Sequence, residues 1–136
     1  MSNLISDKEL YLRATAAREA SYCPYSGISV GAALLCASGK VYTGANIENS
    51  AFSPTVCAER VAFFTAIHDG ERDFVAIAVA GGERGKAPKP SFPPCGVCRQ
   101  VMSEFCTKDF KIIFSDGEAV TLKELLPHGF DKDFIV

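Results

Sequence analysis

The pattern of apolar and polar positions divides the chain into alternating helices and strands. Residues 74–80 form a nearly continuous apolar run, which is typical of a strand buried on both faces. The stretch from residue 6 opens with a capping-box pattern and continues with apolar residues at helical spacing. Helices that alternate with strands over one core predict an α/β fold with a three-layer α/β/α arrangement. The predicted elements are helices over 6–21, 57–69, 96–106 and 122–126, and strands over 30–36, 41–47, 74–80, 110–115 and 119–122.

Length and composition agree with a soluble globular protein. The 136 residues are 48% hydrophobic and 22% charged, so we expect residues 1–136 to form a single domain with a substantial core. No apolar run approaches the length of a membrane span, and residues 1–7 lack a signal-peptide pattern, so we expect a cytoplasmic protein without a membrane partner. The net charge of −2 argues against a nucleic-acid partner, because phosphate binding normally requires a basic face.

Two cysteine-containing stretches carry the candidate chemistry, namely residues 57–60 and 94–100. Cys95 and Cys98 are three residues apart, so both sulfur atoms project onto one face if a helix begins near Gly96. A third metal ligand must come from elsewhere, and Cys57 is the best candidate because an apolar helical pattern starts at that residue. The sequence therefore predicts a metal site formed at two helix N-termini.

Helix N-termini suit a metal bound by three thiolates. Three thiolates on one dication leave an excess negative charge, which weakens the metal as a Lewis acid. The partial positive charge and free N–H groups of two helix N-termini offset this excess. A guanidinium group can also offset this negative charge by hydrogen bonding to a metal-binding thiolate. Arg60 is the first candidate for this role, and Arg99 is the second.

Glu59 decides between a structural and a catalytic metal. A structural zinc is closed by four protein ligands, whereas a catalytic zinc keeps three and leaves the fourth position for water. Cys57 and Glu59 would diverge inside a helix, but at a helix start the cap residue has left helical geometry, so both can face one point. The spacing fits a ligand at the cap and a general acid/base in the first turn.

The remaining cysteines and the two histidines have simpler interpretations. Cys23, Cys36 and Cys106 are expected to be small buried hydrophobic residues. Cys106 lies eight residues after the last motif cysteine on the same predicted helix, about 12 Å along its axis, so it should not reach the metal. His68 and His128 lack ligand spacing and are expected at the surface or at helix ends.

At these residues the chain resembles the cytidine deaminase family, in particular its small free-nucleoside enzymes with three cysteine ligands. The shared arrangement is a ligand, one residue, a non-ligating Glu and a downstream Pro-Cys-x-x-Cys. The resemblance covers approximately residues 20–130. Its further motifs are Tyr25-Ser26, Val30-Gly31-Ala32-Ala33-Leu34-Leu35, Gly44-Ala45-Asn46-Ile47-Glu48-Asn49 and Glu124-Leu125-Leu126-Pro127.

The resemblance implies a fold, a cofactor and an activity. The family fold is a mixed five-stranded sheet between helices, and the cofactor is one Zn²⁺ per subunit. The implied reaction is hydrolytic deamination of cytidine and 2′-deoxycytidine to uridine and 2′-deoxyuridine, in nucleoside salvage. The implied assembly is a homotetramer with active sites at subunit interfaces, in which Phe130, and also Phe52, reach a neighbour's active site.

The resemblance also implies roles for individual residues. Glu59 takes a proton from the attacking water and returns it to N3 of the pyrimidine. Asn46 and Glu48 are two apart and face the same way on a strand, and the resemblance assigns this pair to the ribose. On spacing alone, polar residues on the solvent face of a hairpin would be the favoured interpretation, and the match to the family's Asn-x-Glu motif reverses that preference.

One departure from the family pattern lies in the predicted base pocket. The family commonly has an aromatic residue that stacks on the base where this chain has Ile28. This departure leaves open a lower pyrimidine affinity or a pocket shaped for another base. A deaminase of a cytosine-containing antibiotic nucleoside, which would use the same zinc chemistry, is one alternative. Deamination of nucleic acid and a non-catalytic, zinc-stabilised binding module are further alternatives, and the last of these leaves Glu59 unexplained.

Overall fold

The computed structural model describes residues 4–135. The first three residues of the N-terminal stretch and Val136 of the apolar tail lie outside the described residues. The helices are α1 (Asp7–Ala17), α2 (Ala58–His68), α3 (Gly96–Phe105) and α4 (Leu122–Leu125), with 3-10 turns at Arg18–Ala20 and Lys132–Phe134. The strands are β1 (Ile28–Cys36), β2 (Val41–Ala45), β3 (Phe74–Glu83), β4 (Lys111–Ser115) and β5 (Glu118–Thr121).

The five strands form one mixed sheet in the order β2-β1-β3-β4-β5. Strand β1 runs antiparallel to both β2 and β3, β3 runs parallel to β4, and β5 returns antiparallel to β4. The parallel pair is joined through α3, as a parallel connection requires a crossover. The expected mixed five-stranded sheet is confirmed.

Helices cover both faces of the sheet. Leu10 of α1 belongs to a buried cluster with Ala33 and Leu35 of β1. Ala32 and Leu34, which point to the opposite face because side chains alternate along a strand, belong to a second cluster with residues of α2 and α3. The three-layer α/β/α arrangement is therefore also confirmed.

Two glycines let helices lie directly on the strands. A Cβ atom on Gly31 would lie 2.0 Å from the Ala14 carbonyl oxygen of α1, and one on Gly44 would lie 2.4 Å from the Ala58 carbonyl oxygen of α2. Only glycine fits at such close approaches of two backbones. The contact at Gly44 fixes the first turn of α2 against β2, and that turn carries Cys57.

Strand β3 is longer than the apolar run predicts. Gly81 and Gly82, which lie beyond the predicted strand 74–80, pair with Val30 and Ser29 of β1, and the strand ends at Glu83. Glycine has low strand propensity, but pairing with a neighbouring strand overrides that local preference. Strand β2 instead ends two residues earlier than predicted, at Ala45.

A buried arginine ties α1 to the end of β3. Arg18 is 7% exposed and donates hydrogen bonds to the backbone carbonyls of Ser29, Glu83 and Lys86, at 3.0, 3.0 and 2.9 Å. A planar guanidinium can reach several carbonyls at once because its donors project in a fixed fork. Arg18 thereby anchors the loop that leads from β3 towards Cys95.

Arg18→Lys is expected to destabilise the fold by about 2 to 3 kcal/mol. A single ammonium cannot satisfy all of the carbonyls that the guanidinium serves, and buried carbonyls left without donors are costly. Urea denaturation measures the free energy of unfolding. The matched control is Arg13→Lys on the exposed face of α1, where the ion pair with Glu9 contributes about 0.5 kcal/mol or less. Equal stabilities of the two variants would contradict the anchoring role.

Candidate metal centre and active site

Two of the motif cysteines are the N-cap residues of helices. Cys57 caps α2 with φ −77° and ψ 155°, and Cys95 caps α3 with φ −70° and ψ 168°. Neither cap side chain hydrogen-bonds its helix, so both thiols remain available as ligands. Cys98 lies in the first turn of α3 and is fully buried. The structure therefore places the three thiols at two helix N-termini, as the spacing predicts.

The three sulfur atoms have the spacing that one zinc ion requires. The ligand atoms of Cys57, Cys95 and Cys98 all lie within 4.8 Å of one another, and the Sγ atoms of Cys57 and Cys95 are 3.6 Å apart. Tetrahedral coordination with Zn–S bonds of about 2.3 Å sets sulfur atoms about 3.8 Å apart. The donor set and the geometry fit zinc with three protein ligands.

The surroundings of the cluster favour thiolates. Arg60 donates from Nη2 to the Cys57 Sγ at 3.4 Å. Hydrogen bonds from Cys98 and from this guanidinium lower the pKa of Cys57 to about 5, although burial acts in the opposite direction. The hydrogen bond with Cys57 and burial raise the pKa of Cys98. One thiolate is thus already favoured, and a dication would favour the others because metal ligation requires deprotonation.

Arg99 does not contribute to the metal site as the sequence suggested it could. Its Nε donates to the Pro94 carbonyl at 2.8 Å and its Nη1 donates to the Leu125 carbonyl at 2.7 Å. The side chain therefore links the carbonyl of Pro94, just before α3, to the carbonyl of Leu125 in α4. Its role is to hold the cysteine loop against α4, and Arg60 alone of the two arginines hydrogen-bonds a sulfur.

Glu59 lies beside the cysteine cluster and is buried. It is 3% exposed, and its Oε1 atom has no hydrogen-bond partner among the described residues. Burial raises the pKa of Glu59 to about 7, and the negative charge of Cys57 acts in the same direction. A carboxyl group with a pKa near neutrality can both accept and donate a proton. The unsatisfied oxygen is a place for a ligand's polar atom, since buried polar groups are otherwise hydrogen-bonded.

Asn46 and Glu48 are held by different parts of the chain. The Asn46 Oδ1 accepts from the Val30 N–H at 2.8 Å, and its Nδ2 donates to the Ile28 carbonyl at 2.9 Å. The Glu48 carboxylate accepts from the Tyr25 and Ser26 N–H groups and from the Ser26 hydroxyl. The hydrogen bond from that hydroxyl is the main cause that lowers the pKa of Glu48.

Both side chains keep hydrogen-bonding capacity. The Asn46 amide has one further N–H hydrogen and one further lone pair, and the Glu48 carboxylate retains acceptor capacity. The described contacts position each group without exhausting it. An additional hydroxyl group can therefore be bound by either residue.

The other predicted substrate residues differ in exposure. Ile28 is the first residue of β1 and packs, half-buried, against the core cluster that includes Cys98. Phe52 is 69% exposed, has a positive φ of 60° and meets Tyr25 edge to face. Phe130 is 55% exposed and its ring stacks on Phe134.

The cysteines and histidines outside the motifs stay away from the cluster. Cys23 and Cys36 are buried, as predicted for small hydrophobic residues, whereas Cys106 is only half-buried after the end of α3. Among the described residues, the cluster able to hold a metal includes neither Cys106 nor a histidine. The fold and this site together define an α/β protein with a three-cysteine zinc centre of the catalytic type.

Comparisons with known proteins assign the family. The family model for the cytidine and deoxycytidylate deaminase zinc-binding region matches residues 5–114. A cytidine deaminase from Sporosarcina psychrophila is 45% identical over 130 residues, which cover 93% of this chain and 92% of that protein. One from Halalkalibacterium halodurans is 46% identical over 132 residues, which cover 93% and 96%.

Solved structures of cytidine deaminases also match this chain. The crystal structure of cytidine deaminase from Burkholderia pseudomallei matches with a TM-score of 0.83 and 39% identity, covering 93% of this chain and 100% of that one. Cytidine deaminase from Mycobacterium tuberculosis matches with a TM-score of 0.82 and 34% identity, covering 93% and 98%. The chain belongs to the cytidine and deoxycytidylate deaminase family, and the predicted zinc cofactor is confirmed by the family's zinc-binding region together with the three-cysteine cluster.

Proposed function

We propose that this protein is a zinc-dependent deaminase that hydrolyses cytidine and 2′-deoxycytidine to uridine and 2′-deoxyuridine, with release of ammonia, in pyrimidine salvage. The observation that carries the proposal is the buried Glu59, with an unpartnered oxygen, beside three cysteines that leave one vertex of a tetrahedral zinc free. A purely structural zinc module has no use for that carboxyl group. The similarity to cytidine deaminases supports the same reaction.

Cys57, Cys95 and Cys98 would hold the metal, and Arg60 would hold Cys57 in place. Zinc, when bound, supplies a Lewis acid that makes water a strong nucleophile at neutral pH. The helix N-termini and Arg60 reduce the excess negative charge of the thiolates and so preserve that acidity. Glu59 is buried beside the same cysteines and would serve as the acid/base group next to the bound metal.

Glu59 carries the protons of the reaction. Its Oε1 accepts a proton from the attacking water and donates it to ring N3 while the C4–O bond forms. Glu59 then delivers the second water proton to the amino group, so that the C4–N bond breaks and ammonia leaves. A pKa near 7 lets one carboxyl group act first as base and then as acid.

The nucleoside is bound by residues around the end of the hairpin. Asn46 and Glu48 would bind the ribose hydroxyls with the capacity that their own contacts leave free. Ile28 would form an aliphatic wall of the base pocket, since it starts β1 and packs against the cluster that contains Cys98. The lowered pKa of Glu48 keeps it ionised and so able to accept from a hydroxyl.

Glu48→Gln is expected to raise the KM for cytidine about 10-fold or more and to leave the zinc content unchanged. The amide has one acceptor oxygen instead of two and brings a donor towards the Tyr25 and Ser26 N–H groups. Steady-state kinetics measure the effect. Glu83→Gln, at an exposed carboxylate paired with Lys86, is the control and should change KM less than about 2-fold. Equal KM values for both variants would remove Glu48 from ribose binding.

We further propose a homotetramer in which Phe52 and Phe130 of one subunit complete a neighbour's active site. The support is that both rings are mostly exposed, whereas the Phe130 carbonyl is fixed by Gln100 and Ser103 of α3. A large ring on a fixed backbone is suited to a subunit interface. A monomer at micromolar concentration in analytical ultracentrifugation would contradict this assembly.

We place this activity in the cytoplasm and in a single catalytic domain, residues 1–136. All six cysteines are free thiols, which suits a reducing compartment. Both core clusters are built on the same sheet, which supports one folding unit. No described helix has the length and apolar character needed to cross a bilayer. Free nucleosides rather than nucleic acid are the proposed partners, since the net charge is −2.

Ammonia release from a panel of aminated nucleosides tests the proposal. Cytidine and 2′-deoxycytidine should be converted, and a strong chelator should abolish the reaction because zinc is essential. Much faster conversion of an antibiotic cytosine nucleoside than of cytidine would instead indicate a deaminase of that compound. Preferred conversion of an oligonucleotide would indicate a nucleic-acid deaminase. No conversion of any of them by the zinc-loaded protein would refute a deaminase.

A further inference from the structure

Phe92 lies in the Gly- and Pro-rich loop that follows β3, and its ring packs directly on the backbone of that strand. The composition of the loop does not predict this contact. A Cβ atom on Gly81 would lie 2.7 to 2.8 Å from three atoms of the Phe92 ring. The Phe92 N–H also donates to the Phe114 carbonyl of β4 at 3.0 Å. The ring is half-buried and packs against the core cluster that contains Cys98. Glycine at position 81 is thus required to make room for this ring.

The Phe92 ring contacts Gly81 near the carboxyl end of β3, which is the edge of the sheet where the three cysteines also lie. Strands β3 and β4 are parallel, and their carboxyl ends meet at this edge, where ligands bind in open α/β sheets. Phe92 precedes Cys95 by three residues and follows the end of β3. The ring is therefore held at the same edge as the N-terminus of α3.

Ile28 and Phe92 occupy the same face of the sheet. Val30 of β1 pairs with Gly81, and Ile28 lies two residues before Val30, so the two side chains share a face. Ile28 is thus the diagonal cross-strand neighbour of Gly81, the residue on which the Phe92 ring packs. On this face, both the Ile28 side chain and the partly exposed Phe92 ring pack against the core cluster that contains Cys98.

We infer that Phe92 is the ring on which the pyrimidine of the substrate stacks, with Ile28 as its aliphatic neighbour; the inference rests on the proposed function. A cytosine ring has two flat faces, and stacking on an aromatic side chain is the strongest apolar contact that it can make. Phe92 is fixed before substrate arrives, by Gly81 beneath it and by the hydrogen bond to Phe114. It acts in binding and orientation and takes no part in proton transfer.

The test compares Phe92→Leu with Phe92→Tyr by steady-state kinetics on cytidine and by competitive inhibition with uridine. Leucine keeps the apolar contact with Gly81 but removes the aromatic ring. The KM for cytidine and the Ki for uridine should therefore each rise about 10-fold, whereas kcat should stay within about 2-fold of wild type. Tyrosine keeps the aromatic ring, so KM, Ki and kcat of Phe92→Tyr should each stay within about 2-fold of the wild-type values. Zinc content and thermal midpoint verify that each variant is folded.

Phe74→Leu is the matched control, since Phe74 starts β3 at the end opposite Gly81 and packs on Phe63. It should lower the thermal midpoint and leave KM and Ki unchanged. Phe92→Leu with wild-type KM and Ki would overturn the inference while the proposed function stands. An equal rise of KM and Ki in Phe92→Leu and Phe92→Tyr would also overturn the inference, because loss of the aromatic ring would then not explain the weaker binding. A wild-type protein that releases no ammonia from cytidine would refute the proposed function itself, and the inference with it.

Discussion

Glu59→Gln is expected to reduce kcat for cytidine by about 1,000-fold to 10,000-fold while the protein keeps its zinc and its fold. Loss of a positioned general acid/base typically has an effect of this order. Glutamine is nearly isosteric with glutamate, but its amide can neither take the proton from water nor return it to ring N3. The buried carboxyl group also carries a desolvation penalty that the neutral amide avoids, so no loss of stability is expected.

The measurements for this variant are ammonia release at saturating cytidine, zinc content per chain and thermal midpoint. Glu104→Gln is the matched control, because Glu104 also lies on a helix but is exposed to solvent. The control should retain wild-type turnover. Turnover by Glu59→Gln within about 10-fold of wild type, with zinc bound, would show that another group moves the protons.

Cys98→Ala is expected to lose the metal. Cys98 is the fully buried member of the cluster, and only two sulfur ligands remain without it. Two ligands hold zinc far more weakly than three, and metal binding contributes to folding stability when the site forms only in the folded chain. Zinc content should fall from about one per chain to nearly none after dialysis, activity should disappear, and the thermal midpoint should decrease.

Cys106→Ala is the matched control for this loss, because Cys98 lies in α3 and Cys106 is the C-terminal cap of the same helix, where it is half-buried. Cys106 lies outside the cluster, so the control should keep its zinc and its activity and lose only the packing of a small side chain. Elemental analysis of the two dialysed variants decides the matter. Loss of zinc from Cys106→Ala instead of Cys98→Ala would mean that the ligands are wrongly assigned.

The metal site was predictable because its information is local. Cys95 and Cys98 share one turn of α3, and Cys57 caps the first turn of α2, which carries Glu59, so local helix and cap geometry brings each pair together. Cys57 was chosen as the third ligand because an apolar helical pattern starts at that residue, and the resemblance to a known family then supported the choice. The prediction that Arg60 contacts a sulfur is likewise a consequence of one helical turn.

The parts that sequence did not predict depend on contacts between distant segments. Arg18 looked like one more polar residue at the end of an amphipathic helix, and nothing local indicates the carbonyls that it binds. Gly81 has the low strand propensity typical of a loop, but pairing with β1 and the Phe92 ring above it keep it in β3. Arg99 binds carbonyls near α4, a choice decided by how the helices pack.

Zinc K-edge X-ray absorption of the loaded protein tests the central claim most directly, namely that three sulfur ligands leave one vertex for water beside Glu59. We predict three sulfur atoms at about 2.3 Å and one oxygen at about 2.0 Å, with the same spectrum from Glu59→Gln because Glu59 is not a ligand. Four sulfur atoms around the zinc, or an oxygen that disappears in Glu59→Gln, would contradict the account.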